Sequence, residues 1–235
     1  SELQYNIPPY KGIRIAILGY TNSGLVPPWD PSSCDEGLPG SEEAVVYASQ
    51  ELSKLGHRVT IYMNPPETSI WRSPMSNPQW LPSNLWDLED HTEFYDLTLM
   101  WRRFDVHNGR KRSKVVFFWP HDSPPIVPPG ARLPLFPRFD GICILSQHHW
   151  NQFNMWPGFK NIPYIISGNG FSPEQFSTHI IKQNPYSMGY FSNYARGLVH
   201  LISIWPQIKQ EFPEATLDIY YGRETWNTMP EKILH

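Results

Sequence analysis

Short apolar runs recur along this chain at residues 13–19, 58–63, 95–101, 114–119, 141–146 and 162–167. Ile13-Arg14-Ile15-Ala16-Ile17-Leu18-Gly19 typifies them: too short for a long helix, rich in β-branched residues and closed by glycine, it reads as a buried parallel strand. Between the first two runs, residues 41–55 carry a helical period, with Val45, Ala48, Leu52 and Leu55 on one face and Gly56 as the stop. Strand, helix and strand in that order make a βαβ unit, which favours a doubly wound sheet. A further helix is predicted from about residue 147.

Two stretches interrupt the rhythm. Residues 20–40 are rich in Gly, Pro, Ser and Asp, and residues 64–93 hold Pro65, Pro66, Pro74, Pro78 and Pro82 among Trp71, Trp80 and Trp86. A loop as long as the second is commonly a functional segment. Its tryptophans have two readings: rings that stack on a sugar, or plugs that seal the loop onto its own domain. Residues 172–185 are polar and without period. After them come a strand at 188–192, a helical stripe through Leu198, Leu201, Ile202, Trp205 and Ile208 with a bend at Pro206, and a strand at 217–222. The expected organisation is an N-terminal Rossmann-like domain over 1–183 and the first βαβ of a second such domain over 184–235. The second is expected to be cut before its core can close, which implies a truncated chain.

Composition excludes several classes. The net charge of −3 makes a general nucleic-acid binder a poor fit. A membrane span needs about 20 apolar residues, and no run approaches that. The Ser-Glu-Leu-Gln-Tyr-Asn start is not a signal peptide, and no Asn-x-Ser/Thr site is present. Cys34 and Cys143 cannot make a disulfide framework or a zinc site, and Cys143 reads as a buried thiol. The reading is a cytoplasmic protein.

In open α/β sheets ligands bind beyond the carboxyl ends of the strands. That rule selects Gly19, Arg102-Arg103, His121-Asp122, Ser146 and Gly168-Asn169-Gly170. His121, beside a carboxylate, reads as a base or as a hydrogen-bonding partner of developing charge, or else as a loop histidine satisfied by backbone. Gly37-Leu38-Pro39-Gly40-Ser41-Glu42-Glu43 leads into the first helix, where N–H groups favour an anion; the plainer reading is a turn that caps the helix. Arg196-Gly197 opens the later helix, so a guanidinium and a helix N-terminus stand together as a phosphate seat, or the arginine is simply solvated. Arg110-Lys111-Arg112 beside Asn108-Gly109 reads as a solvated loop, and His148-His149 as surface. The remaining histidines lack metal-ligand spacing. Neither G-x-G-x-x-G nor G-x-x-x-x-G-K-[ST] is present, which counts against a dinucleotide enzyme and a phosphate-loop enzyme.

Four stretches in order resemble one family, the GT-B glycosyltransferases, close to family 4 and the "glycosyltransferase family 1 protein" group. Residues 37–43 with the helix and Gly56-His57-Arg58-Val59-Thr60 are similar to its G-G-S-E loop and "L-x-x-x-G-H-x-V-T" strand entry. Trp119-Pro120-His121-Asp122 resembles its W-x-H-D, and Ile165-Ile166-Ser167-Gly168-Asn169-Gly170-Phe171 with Phe176 its "N-G-(hydrophobic)…F" segment. Phe191-Ser192-Asn193-Tyr194-Ala195-Arg196-Gly197-Leu198, Trp205-Pro206 and Tyr220-Tyr221-Gly222 resemble the start of its donor-binding domain.

The resemblance implies a GT-B fold and transfer of a sugar from a nucleotide sugar to a carbohydrate or other acceptor, with retention and without metal or cofactor. It implies that His121 contacts the transferred sugar as the catalytic residue. Gly40, Arg196 and Gly197 would serve the donor phosphates, the electrostatic task such chemistry requires. Asp122, Arg102, Trp71 and Trp80 would serve the acceptor or support the site. The chain departs from the family in Pro39-Gly40 for Gly-Gly. The family's late E-x7-E is missing too, since Glu43 and Glu51 have that spacing only on the first helix. Two alternatives stand beside the enzyme: a GT-B fragment that binds sugar or protein without catalysis, and a dinucleotide enzyme of Rossmann type.

Overall fold

A computed structural model of the chain describes residues 10–19, 27–88, 92–124, 138–171, 173, 184–194 and 196–220. The chain divides into two units, Ser1–Phe171 and Ser172–His235. The boundary expected between 183 and 184 falls at the edge of a stretch, 174–183, outside the described residues, as do Gly24, Phe176, Ala195, Tyr221 and Gly222.

The first unit is built from β1 (Arg14–Leu18), α1 (Gly40–Lys54), β2 (Arg58–Met63), β3 (Gln79–Pro82), β4 (Tyr95–Trp101), α2 (Val106–Arg110), β5 (Ser113–Trp119), β6 (Gly141–Ile144), α3 (Gln147–Asn154) and β7 (Tyr164–Ile166). All seven strands form one sheet in the order β3-β2-β1-β4-β5-β6-β7, and every pair is parallel. This is the α/β, Rossmann-like sheet expected from the apolar runs. The strand alternation sorts the core into two layers. Ala16, Leu18, Tyr62, Met100, Val116 and Phe118 face one side with α3 residues Trp150 and Phe153. Ile17, Ile61, Met63, Trp80, Trp101 and Trp119 face the other with Val45 and Val46 of α1.

α1 ends as expected. The Gly56 N–H bonds the Ser53 carbonyl and the His57 N–H that of Leu52, a Schellman closure, with Gly56 at φ +93°. Its buried face differs from the expected one: Glu42, Val45, Val46 and Ser49 are buried, whereas Leu55, the C-terminal cap, is 73% exposed. β3 was not expected. It lies within the Pro- and Trp-rich loop as an edge strand beside β2, in register from Thr60↔Gln79 to Met63↔Pro82. Proline is tolerated there because an edge strand has N–H groups that need no partner strand.

In the second unit β8 (Ser187–Tyr190) and β9 (Thr216–Ile219) pair in parallel and are joined through α4 (Leu198–Glu211), with Pro206 inside the helix. This is the βαβ predicted from the stripe. No helix among the described residues is long and apolar enough to cross a membrane.

Candidate functional site

The strand order reverses between β1 and β4: β2 and β3 lie on one side of β1, and β4 to β7 on the other. The carboxyl ends flanking such a switch point are where an open α/β sheet takes its ligand. β1 ends at Gly19 and β4 at Arg102. A Cβ on Gly19 would lie 2.5 Å from Met63 Sδ and 2.9 Å from Trp101 Cε3, so the chain passes the Trp101 ring without a side chain.

Arg102 adopts the left-handed region at φ +58° while its N–H bonds the Trp119 carbonyl at 3.2 Å. This turn brings its guanidinium back across the strand ends. Arg102 Nε donates to Asp122 Oδ2 at 2.7 Å, Nη2 lies 2.6 Å from the same oxygen, and Nη1 lies 3.6 Å from Glu42 Oε1. Glu42 is in the first turn of α1, where a carboxylate is favoured by the helix dipole, and it also accepts from Ser41 Oγ at 2.6 Å. The guanidinium sits 5.2 Å over the Trp101 ring. One cation thus links the start of α1 to the ends of β4 and β5.

His121 follows β5 and is packed edge-on against two indoles, Trp119 at 4.9 Å and Trp101 at 6.2 Å between ring centres. Burial, and then the positive charge of Arg102, push its pKa down to about 4. The imidazole is therefore neutral at pH 7. Its Nε2 is buried with no hydrogen-bond partner among the described residues. The backbone of Asp122 is held by His149, whose Nε2 is 3.0 Å from the carbonyl oxygen.

The structure brings Arg102, His121 and Asp122 together and connects Gly40 to them through the first turn of α1. Gly40 has open space where a Cβ would stand, and Pro39 before it makes no side-chain cap. Trp80 is fully buried against Trp29, with ring centres 5.2 Å apart, so it supports the site from the core and presents no face to an acceptor. Trp71 is half-buried against the same layer. The plug reading of the long loop holds for Trp80 and Trp86, both fully buried. The loop is fastened further by Asp30, which accepts from Ser32 and Ser69 hydroxyls. Arg196 and Gly197 lie in the second unit, where Gly197, at φ +101°, is the N-cap of α4 and Arg196 is exposed.

Two polar residues read as surface are buried. His149 is 7% exposed: Ser146 caps α3 by accepting the His149 N–H, and this turns the ring inward. Arg112 is 8% exposed and donates to the Trp86 and Leu88 carbonyls. Cys143 is a half-buried free thiol whose pKa burial pushes up to about 11. Glu42, Trp101, Trp119 and His149 are site residues that sequence reasoning missed. Their signals were a helix-first-turn acid, tryptophans at strand ends and a histidine at the third position of a capped helix.

A cavity of about 500 Å³ lies elsewhere, at the amino ends of β6 and β7, lined by His107, Arg110, Asp140 and Asn161 among others. Arg110 and Asp140 satisfy each other across it at 3.0 Å. Being at the opposite strand ends, it is no part of the switch-point site. Among the described residues no group of three or more His, Cys, Asp or Glu side chains could hold a metal ion. No protein-family model matches the chain, and no curated protein matches it significantly.

Proposed function

We propose that this chain belongs to a cytoplasmic glycosyltransferase of GT-B type, similar to family 4, that moves a sugar from a nucleotide sugar to a carbohydrate or other acceptor with retention. The observation that carries the reading is His121: a neutral imidazole at the end of β5, beside the switch point, with an unpartnered ring nitrogen. In this reading the C–O bond to the nucleoside diphosphate breaks, a C–O bond to an acceptor hydroxyl forms as its O–H breaks and the proton leaves with the diphosphate, and His121 hydrogen-bonds the sugar as charge develops on it. Asp122 and Glu42 fix Arg102, and burial, with the Arg102 charge second, keeps His121 unprotonated. In the second unit, Arg196 and the start of α4 offer a cation and N–H groups of the kind that suit a diphosphate.

A second reading is a non-catalytic sugar- or protein-binding module. What favours it is that the Arg102 guanidinium, turned across the strand ends, is already matched by two carboxylates.

A thermal-shift screen of the full chain against UDP-, GDP- and ADP-sugars, the free diphosphates and NAD tests both, because a ligand that binds the folded state raises the midpoint. The enzyme reading expects a rise with one nucleotide sugar, none with NAD, and transfer that falls at least about tenfold in His121→Ala. Binding without transfer or donor hydrolysis would select the second reading. A rise with NAD alone would overturn both.

A further inference from the structure

Among the described residues three buried side-chain nitrogens have no hydrogen-bond partner: Trp80 Nε1, Trp101 Nε1 and His121 Nε2. All three belong to one run of rings. Trp80 contacts Trp29 at 5.2 Å, Trp29 contacts Trp101 at 6.1 Å, and Trp101 contacts His121 at 6.2 Å between centres. A buried donor left unpaired is costly, and native structures keep few of them. Trp80, fully buried and separated from His121 by two rings, lies on the core side of this run. Trp101, 4% exposed, and His121, half-buried, are at the strand ends of the switch point.

Two orphaned nitrogens on neighbouring rings suit a ligand that offers adjacent hydroxyl oxygens on an apolar-faced ring. An anion suits the pair less well, because an indole carries no charge and Arg102 already has its carboxylates. We propose that Trp101 is a sugar-recognition residue: its indole N–H donates to a hydroxyl of the transferred sugar beside the one His121 engages. This rests on the glycosyltransferase reading and adds to it the group that reads the sugar. Arg102, whose side chain is 33% exposed, lies over the Trp101 ring. The unpaired state is then a stability cost retained for binding, the usual compromise at a functional site.

The test is made on wild-type full chain carrying ¹⁵N-indole tryptophan. The Trp80 and Trp101 signals are assigned from their contacts to the Trp29 and His121 rings. The protein is titrated with UDP-glucose, GDP-mannose and ADP-glucose, and separately with UDP, GDP and ADP, with calorimetry reporting whether each binds. The expected result is that the sugar nucleotide that binds moves the Trp101 indole signal downfield and slows its exchange with solvent. Trp80 stays in place, and the diphosphate alone moves neither. W101F is expected to weaken that sugar nucleotide about tenfold, the loss of one hydrogen bond, and to leave the diphosphate affinity unchanged. If W101F does not fold, the wild-type titration decides alone. A sugar nucleotide that binds without moving Trp101 overturns the proposal and leaves the glycosyltransferase reading standing. Movement of Trp101 by a free diphosphate also overturns it. Binding of none of the six overturns both.

Discussion

The His149 ring bridges two strand ends: Nδ1 accepts the Leu145 N–H at 3.3 Å, and Nε2 therefore carries the proton and donates to the Asp122 carbonyl oxygen at 3.0 Å. The tautomer is fixed by the first bond. The peptide following Asp122 is thereby tied to the junction of β6 and α3. His149→Ala removes both bonds, and because Asp122 is exposed and water can serve its carbonyl, the cost is expected at about 1 kcal/mol. His149→Gln keeps a donor near the Nε2 position and is expected to recover part of that loss. Urea denaturation of the two variants checks this, and equal midpoints would show that the bond to Asp122 contributes nothing.

Glu42 and Arg102 join α1 to β4, and their side chains are 11% and 33% exposed. Truncating Glu42 to alanine removes one of two partners, so the cost is expected at about 1–2 kcal/mol, below that of a fully buried pair. A double-mutant cycle with Arg102→Ala should return a coupling of about 0.5–1 kcal/mol. Arg102→Gly should be milder than Arg102→Ala, because glycine takes the φ of +58° without strain. The reverse order would mean that the turn at Arg102 carries no strain.

The pH dependence of stability follows from His121. Its pKa falls from the ordinary 6.5 to about 4 on folding, so between those values the unfolded chain binds the extra proton. Wild-type stability relative to the non-titrating His121→Asn should be constant above pH 6.5, decline as the pH drops from 6.5 towards 4, and level off below. Thermal midpoints of both proteins across pH 3.5–8 test this. Parallel profiles would place the imidazole in an environment without burial. The same depression expects transfer activity to show no His121 titration between pH 5 and 8.

Gly19→Ala should cost about 1–3 kcal/mol by overpacking, because the new methyl meets Met63, which is 1% exposed, and the Trp101 ring. Combining it with Met63→Ala, which vacates the closer contact, should recover less of ligand binding than of packing if Trp101 has shifted. Thermal midpoints and the sugar-nucleotide titration together separate the two effects.

What the sequence made legible was whatever local pattern encodes. β2 and β4 begin and end where the apolar runs do, and α4 lies under its stripe. Strand order was not written in any run, yet the rule for strand ends still picked out Arg102 and His121. β3 was hidden because Pro78 precedes it and Pro82 is its last residue, and both read as breakers. The five residues of α2 are too few to show a period. His149 and Arg112 were misplaced for a common reason: each is buried by partners distant in sequence, Asp122 for one and the Trp86 and Leu88 carbonyls for the other. Glu42 became a site residue only once the sheet set α1 beside β4.

The pairing of β4 with β5 sets Trp101 directly opposite Trp119, at the end of two strands of seven residues each. The two strands act as matched rulers with their zero marks at Tyr95 and Ser113, and the candidate-site rings are read at the far end. Because side chains alternate with a period of two, removing one residue from either ruler would turn every ring beyond it to the opposite layer. Substitutions in the middle of β5 alter packing locally, whereas a single deletion there would send Trp119 and His121 away from Trp101 together. Length, more than composition, is what this strand contributes to the site.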